Sequence, residues 1–229
     1  MITEALILAG GFGTRLNSVV KDVPKPLAPV NGTPFLTILI RYLASQGIKR
    51  IILSTGYKYE LIQSLYGSNY EGLEIVYAVE KEPLGTGGAI AYGLSFAQTD
   101  RVLVTNGDSI IRFSLCDMAK EPLADNEILM LLKPMKDFDR YGSVQVDEKR
   151  VTAFAEKSFV SSGLINSGVY LLHRNLFSDC NMHKFSFETD FLEKRVGEGL
   201  FRYLICEGYF IDIGIPEDYA AAQQTLTSF

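Results

Sequence analysis

The chain has 229 residues, 47% of them hydrophobic, which is enough for one sizeable core and is read most simply as one domain. A formal net charge of -5 excludes a general attraction for nucleic acid, so any anionic ligand has to be met by a local basic cluster. Three widely spaced cysteines, Cys116, Cys180 and Cys206, argue against a disulfide framework or a zinc site, and they fit a reducing cytoplasm.

The opening Met1-Ile2-Thr3-Glu4 has no basic stretch, and glycines cut short the apolar run after it, which predicts neither a signal peptide nor a membrane span. Residues 5–9 read as a strand. Residues 35–46 read as a helix, with Thr33 as its cap, Pro34 at its first position and Gly47 just past its end. Strands follow at 51–55, 74–79 and 101–105, with helices at 58–65 and 87–97 between them. This alternation predicts a largely parallel sheet with helices on both faces. Ligands of such sheets sit at the carboxyl ends of the strands, which directs attention to the loops after residues 9, 55, 79 and 105. The second half is less regular. Strands are expected at 127–132, 143–146, 152–155, 168–173, 202–206 and 209–211. A helix is expected at 187–196, and Pro216 opens a last one. This half reads as an extension of the same sheet.

The stretch Ala9-Gly10-Gly11-Phe12-Gly13-Thr14-Arg15-Leu16 follows the first strand. A dinucleotide fingerprint needs Gly or Ala where Leu16 stands, and an acid about 20 residues on at the end of the second strand. That strand ends Ser54-Thr55-Gly56. A Walker loop needs Gly-Lys-Ser/Thr, which is absent, and a kinase glycine loop fails at Leu16 too. A plain strand-to-helix turn with a solvated arginine stays open. Arg15 is joined, however, by Lys21 and by Lys25, the latter between Pro24 and Pro26 on what reads as a stiff, extended segment. Glycine amides with Arg15 and Lys25 would suit a multiply charged anion such as a nucleoside triphosphate.

Two aspartates stand where strands stop: Asp108 in Asn106-Gly107-Asp108, and Asp212. Each alone is an ordinary turn residue. Near a polyanion site, the pair suggests Mg2+, which takes one or two carboxylates plus substrate phosphates. His173 and His183 lie in no motif, which argues against a histidine base or a Ser-His-Asp arrangement. A sugar phosphate needs little base, since its second pKa is about 6. The difficulty lies in bringing two anions together in line. Leu84-Gly85-Thr86-Gly87-Gly88 reads equally as a capped turn, with Thr86 the cap, and as a backbone surface for a base and ribose.

Gly10–Leu16, Pro24-Lys25-Pro26-Leu27, Leu84–Gly88, Asn106-Gly107-Asp108 and the late Asp212, in this order, resemble the sugar-1-phosphate nucleotidyltransferases along essentially the whole chain. The resemblance implies a Rossmann-like three-layer α/β/α fold of the nucleotide-diphospho-sugar transferase type, with a mostly parallel central sheet. About residues 1–110 would be the nucleotide half and about 111–229 the sugar half. It implies attack by a sugar 1-phosphate on the α-phosphorus of a nucleoside triphosphate. Leu8, Ala9, Gly10, Gly11, Gly13 and Thr14 would wrap the nucleotide, with Asn106 and Gly107 beside it. Arg15 would hold the triphosphate and Lys25 would stabilise charge at the α-phosphate. Gly85 and Thr86 would lie against base or ribose, and Asp108 and Asp212 would hold the metal. Tyr141, Gly142, Glu156, Lys157, Asn166 and Gly168 look like the sugar side, although Glu156-Lys157 also reads as an ordinary polar strand end.

Most relatives continue with Pro-Leu-Thr where this chain has Asn17-Ser18-Val19, and the carboxy-terminal β-helix of some relatives is not expected. The stretches "RLNSVVKDVPKPLAPV", "KEPLGTGGAI" and "YFIDIGIPEDY" are most similar to heptose 1-phosphate guanylyltransferases, which make GDP-heptose for bacterial surface glycans. The partners would be GTP and a sugar 1-phosphate, with no nucleic acid or membrane and an open oligomeric state. A mannose 1-phosphate guanylyltransferase, a uridylyltransferase and a non-catalytic nucleotide-sugar sensor are the alternatives. An oxidoreductase would require the fingerprint that Leu16 breaks.

Overall fold

The computed structural model describes residues 1–11, 16, 19–20 and 23–226. The expectations placed on Gly13, Thr14, Arg15 and Lys21 lie outside the described residues. In chain order the first half carries β1 (Glu4–Leu8), a 3-10 turn (Lys25–Leu27), the short ribbon β2 (Pro29–Val30) and β3 (Thr33–Pro34), and α1 (Phe35–Ser45). Next come β4 (Arg50–Thr55), α2 (Tyr59–Tyr66), β5 (Asn69–Tyr70), β6 (Leu73–Val79), α3 (Gly85–Leu94) and β7 (Arg101–Asn106). The second half carries β8 (Ser109–Ile111), α4 (Leu115–Lys120), β9 (Ile128–Phe138), β10 (Ser143–Asp147), β11 (Arg150–Phe154) and β12 (Val160–His173). A π-helical turn at Phe187–Leu192, α5 (Glu193–Arg195), a 3-10 turn at Val196–Glu198, β13 (Phe201–Ile205), β14 (Phe210–Asp212) and α6 (Pro216–Thr225) complete it.

Ten strands form one sheet in the order β10-β11-β13-β9-β12-β7-β1-β4-β6-β5. Apolar residues alternate between its two faces. Ala5, Ile7, Ile51, Leu53 and Leu103 join the core under α1, α2, α4 and α6, with Phe35, Ile40, Ile62, Met118 and Ala222. Leu6, Ile52, Val102 and Val104 join the opposite core with Ile90 and Leu94 of α3 and the Phe185, Phe187 and Phe191 rings. Strands buried on both faces between helices are the three-layer arrangement.

The expected mostly parallel sheet is corrected to a mixed one. The strands β7, β1, β4 and β6 are mutually parallel, and so are β9 and β13. Between these blocks β12 runs antiparallel to both β7 and β9, and β10–β11 is an antiparallel hairpin. The reason is connectivity. The first half joins its strands through helices, which permits parallel pairing, whereas β10 and β11 are joined by a tight turn, which forces reversal.

Three local expectations also change. Thr33 does not cap α1: it pairs with Val30 in the ribbon, and the first helical N–H, that of Phe35, donates to the Ala28 carbonyl at 3.0 Å. Pro34 stands at the cap position instead of the first helical one, while Gly47 follows the helix end as expected, with φ +99°. The strand expected at 168–173 extends back to Val160, because the Asn-Ser-Gly stretch is a bulge inside it and not its start. The helix expected at 187–196 is a succession of π, α and 3-10 turns. Among the described residues no helix is long and apolar enough to cross a membrane.

Candidate active site

Parallel β1, β4, β6 and β7 end on one edge of the sheet, and the loops that follow them surround a cavity of about 550 Å³. The lining comes from the loops after all four strands: Gly10 and Gly11, then Gly56 and Tyr57, then Glu80, Lys81, Glu82, Pro83 and Gly85, then Asn106 and Asp108. Leu8, Lys25 and Thr86 line it as well. Ala9 and Gly107 do not. The Ala9 N–H donates to the Ser54 carbonyl at 2.8 Å and that of Gly107 to the Leu8 carbonyl at 2.9 Å, so both knit strand ends together.

A second cavity, about 660 Å³, opens beside the first. Every residue expected on the sugar side lines it: Tyr141, Gly142, Glu156, Lys157, Asn166 and Gly168. Its walls come from the antiparallel part of the sheet. Between Asn166 and Tyr170 the register of β12 against β9 slips, with Ser167 donating to the Leu131 carbonyl and Gly168 at φ +76°. The bulge holds Asn166 in place, with Nδ2 donating to the Tyr170 hydroxyl at 2.6 Å and Oδ1 accepting from the Gly168 N–H at 3.1 Å. Burial first, and the charge of Glu188 second, raise the pKa of the Tyr170 hydroxyl and keep it protonated. The two cavities share Asn106, Asp108 and Glu188.

Asp108 sits between β7 and β8. Because β8 pairs with β14, with Ser109 opposite Asp212, the second aspartate lies beside the first. The Asp108 carbonyl fixes the junction by accepting from the Ile213 N–H at 2.9 Å. Burial, and next the negative charge of Asp108, raise the Asp212 carboxyl above its ordinary value, while Lys25 and the Gly214 N–H act the other way. Lys25 Nζ donates to Asp108 Oδ2 at 2.5 Å. The segment carrying Lys25 is not extended, as its two prolines suggested. Pro24 alone is extended, and residues 25–27 close a 3-10 turn in which the Leu27 N–H donates to the Pro24 carbonyl at 2.8 Å. The turn delivers the ammonium group to the seam between the cavities.

Two acids escaped the sequence reading. Glu80, directly after β6, accepts from Ser54 Oγ at 2.9 Å and from the Leu84 N–H at 3.1 Å, so its carboxylate is fixed on the wall of the first cavity. The loop was flagged, but an acid after a strand is an ordinary turn residue. Glu188 accepts from Thr86 Oγ1 at 2.7 Å across 102 positions of sequence, which no local pattern could reveal. Thr86 is not the cap of α3, whose cap position is Leu84; it lies in the first turn of that helix.

Residues 4–228 match the family model described as nucleotidyl transferase. The chain belongs to the nucleotidyl transferase family. It is 46% identical to a D-glycero-alpha-D-manno-heptose 1-phosphate guanylyltransferase of Aneurinibacillus thermoaerophilus, covering 99% of each chain. It is 49% identical to the protein of that name from Campylobacter jejuni, over 94% of this chain and 96% of the other. Among solved structures it is similar to HddC from Yersinia pseudotuberculosis complexed with GMP-PN, at 39% identity and a TM-score of 0.88, covering 99% of this chain and all of that one. As a member of this family the chain is a nucleotidyltransferase enzyme.

Proposed function

We propose that this nucleotidyltransferase transfers GMP from GTP to D-glycero-alpha-D-manno-heptose 1-phosphate, giving GDP-heptose and pyrophosphate. The observation that carries the reading is the pair of cavities meeting at Asp108, one walled by loops of the nucleotide half and one by residues of the sugar half. Two near-full-length relatives bearing that activity in their names support the choice of base and sugar.

In this reading a phosphate oxygen of the sugar phosphate attacks the α-phosphorus of GTP, and the bond from that phosphorus to the pyrophosphate oxygen breaks. The attacking group is already largely dianionic at neutral pH, since its second pKa is about 6, so no side chain has to remove a proton. What the site supplies is alignment and positive charge. Lys25 leaves Asp108 to meet charge gathering at the α-phosphate, and Arg15 adds to it. Residues of the second cavity orient the sugar phosphate, with Lys157 at its phosphate and Glu156 and Asn166 at hydroxyls.

The donor set fits a divalent metal. Asp108 and Asp212 offer hard carboxylate oxygens, and their mutual repulsion is part of what raises the Asp212 carboxyl. These two residues would hold the ion, Mg2+ in this reading, which would supply neutralisation of phosphate charge. Glu80 supports guanine over other bases: a fixed carboxylate on the wall of the first cavity can accept from both N–H donors on one edge of guanine. Glu80→Gln keeps the shape and loses one of the two acceptors. It is expected to raise KM for GTP about tenfold, with little change in KM for the sugar phosphate.

Pyrophosphate release from GTP, UTP, CTP and ATP, each against heptose, mannose and amino-sugar 1-phosphates, tests the reading directly. Fastest turnover with GTP and the heptose phosphate supports it. No release with that pair, and release with another, would leave the chemistry and overturn the substrate assignment.

A further inference from the structure

The glycines of Gly85-Thr86-Gly87-Gly88 are occupied by another part of this chain. A Cβ on Gly85 would come within 2.4 Å of the Phe185 carbonyl oxygen, one on Gly87 within 2.1 Å of the Phe185 ring, and one on Gly88 within 2.4 Å of the His183 carbonyl oxygen. The amides are engaged as well. The Gly87 and Gly88 N–H groups both point to the Phe185 carbonyl, at 3.0 and 3.4 Å, and the Phe185 N–H returns a bond to the Leu84 carbonyl at 2.9 Å. The start of α3 therefore has these donors committed to residues 183–188, one hundred positions away, and not held open for a phosphate.

Thr86 stands at the centre of this contact. Its Oγ1 accepts from the Phe187 N–H at 2.8 Å, and its single hydroxyl proton goes to Glu188 Oε2 at 2.7 Å. Ser186 Oγ lies 3.3 Å from the same carboxylate oxygen. Oε2 is thus taken twice, while Oε1 takes no hydrogen bond among the described residues. Glu188 is one of three residues lining both cavities. A carboxylate repels a triphosphate and accepts from hydroxyl groups, and on the side of the second cavity those hydroxyl groups are the sugar's.

We propose that Thr86 is a positioning residue for Glu188, and that the glycine stretch is a clasp joining the nucleotide half to the sugar side. Through this contact Thr86, on a helix of the nucleotide half, governs binding of the sugar phosphate. The proposal rests on the reaction above only for the statement that a sugar phosphate occupies the second cavity.

The test compares Thr86→Val, Thr86→Ser, Glu188→Gln and the Thr86→Val/Glu188→Gln double variant, after thermal melts establish that each is folded. KM for the sugar phosphate is read at saturating GTP, and Kd for GTP by calorimetry. Thr86→Val is expected to raise KM for the sugar phosphate about tenfold, the scale of one lost charged hydrogen bond, with Kd for GTP within about twofold of wild type. Thr86→Ser is expected to restore it, and Thr86→Val to add nothing once Glu188 is Gln. A rise in Kd for GTP, an unchanged sugar KM, or an undiminished Thr86→Val effect in the Glu188→Gln background would overturn the proposal. Should Thr86→Val not fold, Glu188→Gln alone decides: an unchanged sugar KM overturns it. If wild type uses a different sugar phosphate, the substrate assignment fails and the same comparison runs with the sugar that is used.

Discussion

The two cavities are built by opposite means. The first is made of loops at the carboxyl ends of parallel strands, where the chain must turn after every strand and always on the same edge. The second is made of side chains on antiparallel strands, aimed by a bulge in β12 and by the β10–β11 hairpin. Parallel pairing gathers its loops by topology alone, so the place of a ligand is given before any side chain is considered. Antiparallel pairing spreads its turns over both ends, and a site has to be assembled from particular registers.

The sharpest way to break this contrast is at the seam the cavities share. Lys25 lines only the first cavity, whereas Asp108 lines both. Lys25→Ala and Asp108→Asn are each expected to lower turnover about a hundredfold or more, the scale of a lost preorganised electrostatic group. Pyrophosphate release at saturating substrates measures it. Near-wild-type turnover in either variant would remove that residue from the mechanism, and for Asp108 would make the cavities independent sites.

This difference in construction also explains what the sequence disclosed. The four loops after residues 9, 55, 79 and 105 could be named as a ligand site, because alternating apolar runs and helical spacing imply a parallel block. Within those loops Lys25 and Asp108 could be named, but Glu80 could not, since its partners Ser54 and Leu84 come from elsewhere in the fold. In the second half the pattern Asn166-Ser167-Gly168 reads as leading into a strand that begins at residue 168. A glycine at φ +76° inside a continuous strand has the same residue pattern as a turn, and only the pairing partner tells them apart. Glu188 is invisible for a stronger reason, as its place on both cavities and its contact with Thr86 arise only when segments 102 positions apart meet.

A second test asks whether the amino ends of the same parallel strands serve stability alone. Glu4 opens β1, is 2% exposed, and pairs with Arg50. It also accepts from the N–H groups of Gln98 and Thr99 and from the Thr99 hydroxyl. Burial pushes its carboxyl pKa up, but the bonds from Thr99, Arg50 and Gln98 outweigh burial and leave it below the ordinary value of 4.5. A lowered folded pKa means that its stabilisation is present above 4.5 and lost as pH falls through the folded value. Glu4→Gln is expected to cost about 2 kcal/mol near pH 7, since it leaves a buried arginine underpaired. Urea denaturation should show the gap to wild type closing as pH drops below 4.5. Turnover per folded molecule should be unchanged. A loss of turnover would mean that the amino ends of the strands are coupled to the site.

The smallest effect, and the most direct comparison of the cavities, comes from adding one methyl group to each. Gly11 borders the first cavity, and a Cβ there would meet nothing within 4 Å. Gly168 borders the second, at φ +76°, and a Cβ there would approach Asn106 Nδ2 to 2.3 Å. Gly168→Ala is therefore expected to cost about 1–2 kcal/mol of stability, because alanine is strained at positive φ and the displaced neighbour is Asn106, one of the shared residues. Gly11→Ala is expected to leave the melting temperature unchanged while weakening GTP, because the open space beside it is where a nucleotide would approach the backbone. Melts of the ligand-free protein and GTP titration separate the two. If Gly168→Ala melted like wild type, the bulge would be free to relax and the second cavity would be as loop-like as the first. If Gly11→Ala bound GTP as tightly as wild type, the glycine would be marking a turn, and the nucleotide would lie farther from the backbone than the cavity suggests.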